Sequence, residues 1–188
     1  EDSVFIHLGN LWQILDAFRS GKIHDPAQTT GHAASIFGTS NFLASHVSED
    51  CRVDPHAHVQ NSLLLGPDGR IGPHAIVAEC RLGGRVEAGA RSLLRGLETD
   101  MDLKVPDETA LFAVPLLKSK EGLLQSVYCV QGIEDNPKDS MSSSESRFLG
   151  LPFNLWLEKR GLHEVDLWPE KTPPEERTLW TARLHPVG

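Results

Sequence analysis

The sequence predicts a mainly β chain: a left-handed parallel β-helix of hexapeptide-type repeats, with a small α/β N-terminal segment and a C-terminal α/β cap. Three observations predict it. The block Cys51-Arg52-Val53-Asp54-Pro55-His56-Ala57-His58-Val59 recurs 18 residues later at Gly69–Val77, and a weaker third copy, Gly84–Ser92, follows at an offset of 15. Aliphatic residues fall at every sixth position: Val47, Val53, Val59, Leu65, Ile71 and Val77. Small residues sit four places further on at Cys51, Ala57, Gly69 and Ala75. No helix has a six-residue period. A short strand plus a tight turn does, and three such units close one coil. The aliphatic residue then points inward and the small one lets the corner close. Roughly two and a half coils are expected, with the third shortened by three residues at Gly83-Gly84.

The elements follow in order. Val4–Leu8 reads as a strand, and Asn10 can cap a helix that places Leu11, Ile14, Leu15 and Phe18 on one face and ends near Gly21. Residues 1–45 thus form an opening strand–helix segment. Residues 46–134 hold the β-helix and the strands after it, Leu111–Leu116 and Ser126–Val130, with Pro115 marking an edge or an end. Asp135–Ser146 is polar and reads as a mobile loop. Phe148–Arg160 reads as a short helix carrying Phe153, Leu155, Trp156 and Leu157, stopped by Gly161. Asp166-Leu167-Trp168-Pro169 leads into a Pro/Glu-rich connection, and Arg183 is read in an aromatic and apolar strand after it. Three of the four tryptophans lie beyond residue 150. Residues 147–188 are therefore expected to pack as a unit and to cap the solenoid, with Arg183 paired to Asp166.

Composition bounds the function. The 188 residues are 39% hydrophobic and 23% charged, enough for a real core and against disorder of the whole chain. A net charge of −8 argues against nucleic acid and anionic membranes as partners. No apolar run reaches the roughly 18 residues of a membrane span. The start, Glu1-Asp2-Ser3-Val4-Phe5, is not a signal peptide and lacks Met, so the chain reads as a piece cut from a longer protein. Three widely spaced cysteines form neither a disulfide framework nor a C-x-x-C metal pattern. Cys51, in a corner slot, is expected to be buried and reduced, and the location cytoplasmic.

Several residues are weighed for chemistry. His56 and His74 are expected to stack in adjacent coils, with His58 nearby. They are the outside candidates for a metal, as in trimeric hexapeptide-repeat carbonic anhydrases, or for the catalytic histidine of an acyltransferase. The plainer reading is a solvated corner ladder, and no metal site and no catalytic residue is assigned. Arg52, Arg70 and Arg85 form a second ladder. Like charges at strand spacing repel unless neutralised, and Asp50, Asp54, Asp68 and Glu87 lie close in sequence. A phosphate or an acidic partner is the alternative. Arg183 and Asp166 are the candidate substrate-binding residues, each also open to a structural ion-pair role. There is no G-x-S-x-G elbow, no phosphate-binding G-x-x-x-x-G-K-[ST] loop and no G-x-G-x-x-G, so no nucleotide site is complete.

Four segments, in order, carry a resemblance. They are Phe5-Ile6-His7-Leu8-Gly9; the repeat at 47–92 with Cys80-Arg81-Leu82-Gly83; Val130-Gln131-Gly132-Ile133-Glu134-Asp135-Asn136; and Asp166-Leu167-Trp168 followed by Leu179-Trp180-Thr181-Ala182-Arg183-Leu184-His185-Pro186-Val187. Together they resemble the region downstream of the catalytic domain in L-fucose-1-phosphate guanylyltransferases (GDP-fucose pyrophosphorylases) and L-fucokinases. Asn10-Leu11 and His185 depart from the family pattern, and its nucleotidyltransferase signature and kinase domain are not in this sequence. The resemblance implies a C-terminal β-helix portion of an enzyme that makes GDP-fucose from GTP and fucose-1-phosphate. Such a portion would support or oligomerise the catalytic domain and be inactive alone. No cofactor is expected on this chain, and magnesium would serve the parent enzyme. The partners implied are the parent's own N-terminal catalytic domain and possible further copies in a homo-oligomer. A stand-alone hexapeptide-repeat acyltransferase or metal-dependent hydratase, and a pure interaction module, are the alternatives.

Overall fold

The computed structural model describes residues 42–116, 125–143 and 145–184. The expected strand at 4–8 and helix at 10–21 lie outside them. The chain divides into two compact units, Glu1–Phe112 and Ala113–Gly188.

The first unit is built from short strands: β1 (Phe42–Leu43), β2 (His46–Val47), β3 (Arg52–Val53), β4 (His58–Gln60), β5 (Leu63–Leu64), β6 (Arg70–Ile71), β7 (Ile76–Ala78), β8 (Arg81–Leu82), β9 (Val86–Ala88), β10 (Leu93–Arg95), β11 (Glu98–Thr99), β12 (Leu103–Val105) and β13 (Thr109–Leu116). Every third strand stacks on the last. The orders β1-β4-β7-β10-β13, β2-β5-β8-β11 and β3-β6-β9-β12 define three parallel faces. This is a parallel β-solenoid of about four turns, more than the two and a half expected. Polar or small residues such as Thr99 and Ala88 occupy later inward positions and hid the continuation.

Strand register defines the repeat. Val59 pairs with Val77, 18 residues on, and Val77 with Leu94, 17 on. Val53 pairs with Ile71 and Ile71 with Ala88. Ile71 is buried and Arg70 exposed, as expected. Of the small-residue positions, Ala57 and Ala75 are fully enclosed and Gly69 is buried as expected, whereas Cys51, expected buried, is only half-buried. Two further expectations are corrected. The residue stacked between Val47 and Leu82 is Leu64, 1% exposed, whereas Leu65 is 43% exposed. The third copy aligns Arg70 with Glu87 rather than Arg85, so its coil is shorter by one residue and not three. The cause is local: the corner at Gly66-Pro67-Asp68-Gly69 carries one residue more than the corner stacked on it.

Corners are where stacking is tightest. A Cβ on Gly66 would lie 1.9 Å from the Gly84 carbonyl oxygen, so only glycine admits this approach. Elsewhere the chain turns through left-handed residues in register, Asn61, Glu79 and Gly96 (φ 47°, 57° and 64°). Buried Ser62 ties two turns: its hydroxyl donates to Gln60 O (2.7 Å) and accepts the Cys80 N–H (3.1 Å).

The second unit opens with the last residues of β13 and with β14 (Gln125–Gly132), covering both strands expected there. A hairpin, β15 (Arg147–Phe148) and β16 (Leu151–Pro152), precedes helix α1 (Phe153–Arg160). Leu149 and Gly150 both have positive φ, the signature of a two-residue primed turn. The hairpin takes the residues expected to begin the helix. The stop is as expected: Gly161 is left-handed and its N–H donates to Glu158 O. A one-turn helix, α2 (Glu164–Leu167), and a 3-10 turn (Pro174–Glu176) follow.

Met141, Phe148, Phe153, Trp156, Leu157, Leu167, Trp168 and Leu179 form one core, so this segment packs as a unit. Phe148 meets Trp156 edge-on at 4.8 Å between ring centroids. The Trp168 indole N–H donates to Thr181 Oγ1 at 3.1 Å, while Trp156 Nε1 is buried with no hydrogen-bond partner among the described residues. Of the three tryptophans beyond residue 150, Trp156 and Trp168 are buried in this core and Trp180 is 68% exposed. The tight turn at Thr178–Thr181 sends Leu179 inward and its neighbour outward. The serine-rich stretch is not a free loop either. Ser140 and Ser142 hydroxyls donate to Pro174 O (2.8 and 3.1 Å), and Met141 N–H to Arg177 O (2.7 Å).

The register makes a sharp test. Leu64→Ala is expected to cost about 2–5 kcal/mol, and Leu65→Ala less than about 1 kcal/mol. Urea melts of the two variants read this directly, and equal losses would contradict the assigned register.

Candidate functional site

The outward positions of one solenoid face carry the charge. On β3-β6-β9-β12 the register stacks Arg52, Arg70, Glu87 and Lys104 in that order. Strands lie about 4.8 Å apart, so Arg52 and Arg70 are like charges side by side. Glu87, the register neighbour of Arg70, makes no ion pair with it. Its carboxylate is taken by Arg85 and by Lys104 (3.3 Å). Asp50, Asp54 and Asp68 make no ion pair with either arginine, contrary to expectation. Asp54 instead turns to its own corner, where Oδ1 accepts the His56 N–H at 2.8 Å. Arg52, Val53, Asp54, Arg70, Ile71, Gly72 and Pro73 line a depression of about 270 Å³. A second of similar size adjoins it from Arg70 to Lys104 and Asp107.

His56 and His74 do stack, with ring centroids 5.3 Å apart and planes 29° from parallel. Among the described residues no group of three or more His, Cys, Asp or Glu is placed to hold a metal ion. Cys51 is half-buried and Cys80 buried, and burial pushes both thiols above their ordinary pKa, which makes them poor nucleophiles.

The other sequence candidates lie in the second unit. Arg183 is exposed and follows a turn instead of sitting in a strand. Its N–H donates to Leu167 O at 3.1 Å, which brings its backbone beside that of Asp166. The expected ion pair does not form: Asp166 Oδ2 accepts the His163 N–H at 2.8 Å, closing the first turn of α2. Asp135 has a role that pattern reading missed. Its Oδ2 accepts the N–H groups of Gly132 (2.5 Å) and Leu149 (3.0 Å), joining the end of β14 to the hairpin turn. The signal was the Asp three residues after a strand-ending glycine, a spacing that favours side-chain-to-backbone turns.

The sequence model of the fucose pyrophosphorylase domain matches residues 1–188. The chain belongs to the fucose pyrophosphorylase family. Over 115 residues it is also 27% identical to the L-fucokinase/L-fucose-1-P guanylyltransferase of Bacteroides fragilis. That match covers 61% of this chain and only 12% of the relative's length. No solved structure matches the chain. The family expected from the four segments is thus the one found.

Within the domain, Asp135 gives a pH test. Burial raises its carboxyl above the ordinary aspartate range, against the lowering effect of the Leu149 and Gly132 N–H groups and of Arg147. The folded state therefore holds this proton more tightly than the unfolded chain. The stabilisation is complete below about pH 3.9 and is lost as pH rises through the raised value. Asp135→Asn removes that component, so its Tm is expected to improve relative to wild type as pH rises above about 4. A Tm difference that does not change with pH would refute this.

Proposed function

We propose that this chain is the C-terminal β-helix portion of a nucleotidyltransferase that forms GDP-fucose from GTP and fucose-1-phosphate, and that it supports or oligomerises the catalytic domain. The observation that carries the reading is the family match across residues 1–188 in a chain whose first unit is a parallel solenoid. Stacked turns bury a continuous core and leave long rigid faces, which suits a scaffold or an assembly surface. The relative's name, a kinase joined to a guanylyltransferase, supports a parent with its chemistry elsewhere in the chain. Left-handed winding with hexapeptide-type repeats belongs to the same reading.

Magnesium belongs to the parent's triphosphate site in this reading. Arg183 and Asp166, both exposed, are the proposed points of contact with substrate. The cytoplasm is the proposed compartment, in keeping with three free thiols.

The test is activity of this chain alone. Incubated with GTP, magnesium and fucose-1-phosphate, it is expected to release no pyrophosphate, while the parent enzyme does. Turnover by the isolated chain in the usual range of about 1–1000 per second would sink the scaffold reading.

A further inference from the structure

The arginines of the solenoid fall into two groups. Arg81 meets Asp100 (3.0 Å), Arg95 meets Glu79 (3.2 Å), Arg85 meets Glu87, and Arg91 meets Glu108. Arg52 and Arg70 have no carboxylate within ion-pair distance among the described residues, although they are register neighbours on adjacent strands. Both are exposed, and both line the same depression. In a chain of net charge −8, the two guanidiniums that most need neutralising are the two left without it.

The geometry points to an anion site in this depression, one that takes the phosphoryl group of a small phosphorylated molecule across Arg52 and Arg70. Parallel pairing holds their Cα atoms in register on strands about 4.8 Å apart, and both side chains line the one depression. A carboxylate has two oxygens and one charge, which one guanidinium satisfies. A phosphoryl group has three terminal oxygens and up to two charges, enough for both forks at once. The depression, about 270 Å³, is smaller than the roughly 300–1,000 Å³ of pockets that enclose a drug-sized ligand. It therefore takes the phosphoryl end and leaves the rest of the molecule outside. Asp54 lines the same depression, and its Oδ1 is held by the His56 N–H, which partly offsets its charge.

Pyrophosphate is the probe, titrated into the full chain by calorimetry in phosphate-free buffer. Saturable binding is expected. It is expected to weaken about tenfold or more in Arg52→Gln/Arg70→Gln, and to change less than about twofold in Arg81→Gln/Arg95→Gln, whose guanidiniums are already ion-paired. All four positions face outward, and thermal melts verify that each variant is folded. No saturable binding, or an equal loss in both double variants, overturns the proposal. So does capture of a glutamate-rich peptide without pyrophosphate binding, which would make the face a dock for an acidic protein.

Discussion

Each turn of the first unit must repeat the backbone path of the turn beside it, because the N–H and C=O groups of the short strands find their partners between turns. His46 N–H donates to Ser62 O, Leu63 N–H to Cys80 O, and Arg81 N–H to Leu97 O, all at 2.8–2.9 Å. A strand of two residues has almost nothing to offer on its own. Its polar backbone is satisfied only if the next strand arrives in register. The left-handed corners, the glycine-only approach at Gly66 and the enclosed alanines at 57 and 75 all follow from that requirement.

The same constraint shapes the surface. In-register stacking fixes which outward side chains become neighbours, whether or not their charges agree. Between Glu79 and Glu108 the outcome is favourable, with each arginine meeting a carboxylate. Exposed pairs of this kind contribute about 0–1 kcal/mol each, so they tune the faces more than they hold the fold. At Arg52 and Arg70 the outcome is unfavourable, and the solenoid tolerates it because the core behind the strands is intact. The second unit works by other means. Its aromatic cluster, with Trp168 nearly sealed and satisfied by Thr181, is held by irregular segments that cross-link through side-chain and backbone hydrogen bonds.

The repeat was legible because burial in a solenoid is periodic: Val53, Val59, Ile71 and Val77 announced it. What misled was the assumption of an unbroken period of six. Leu64 and Leu65 are adjacent and equally apolar, and only strand register shows which one faces in. The Gly84–Ser92 copy was matched on Gly-Arg-Val, whereas stacking follows the backbone and puts Glu87 against Arg70. The charge on the β3 face could be read from sequence, but its pairing could not, because Glu87 chooses among three nearby cations by geometry. Gly161 could be read as a helix stop from chemistry alone. The hairpin before that helix could not be, since Leu149 in a left-handed turn is an unusual choice.

The extra residue at Pro67-Asp68 shows where this architecture absorbs a change in length. Turns of 17 and 18 residues coexist because the surplus is pushed sideways at one corner, leaving the strands before and after it in register. Residue count at that corner is thus uncoupled from the solenoid's pitch. Pro67 and Asp68, both exposed, can therefore change in number while the strand pairings on either side stay in register. The same corner is the natural place to graft a reporter peptide or a second domain onto the scaffold.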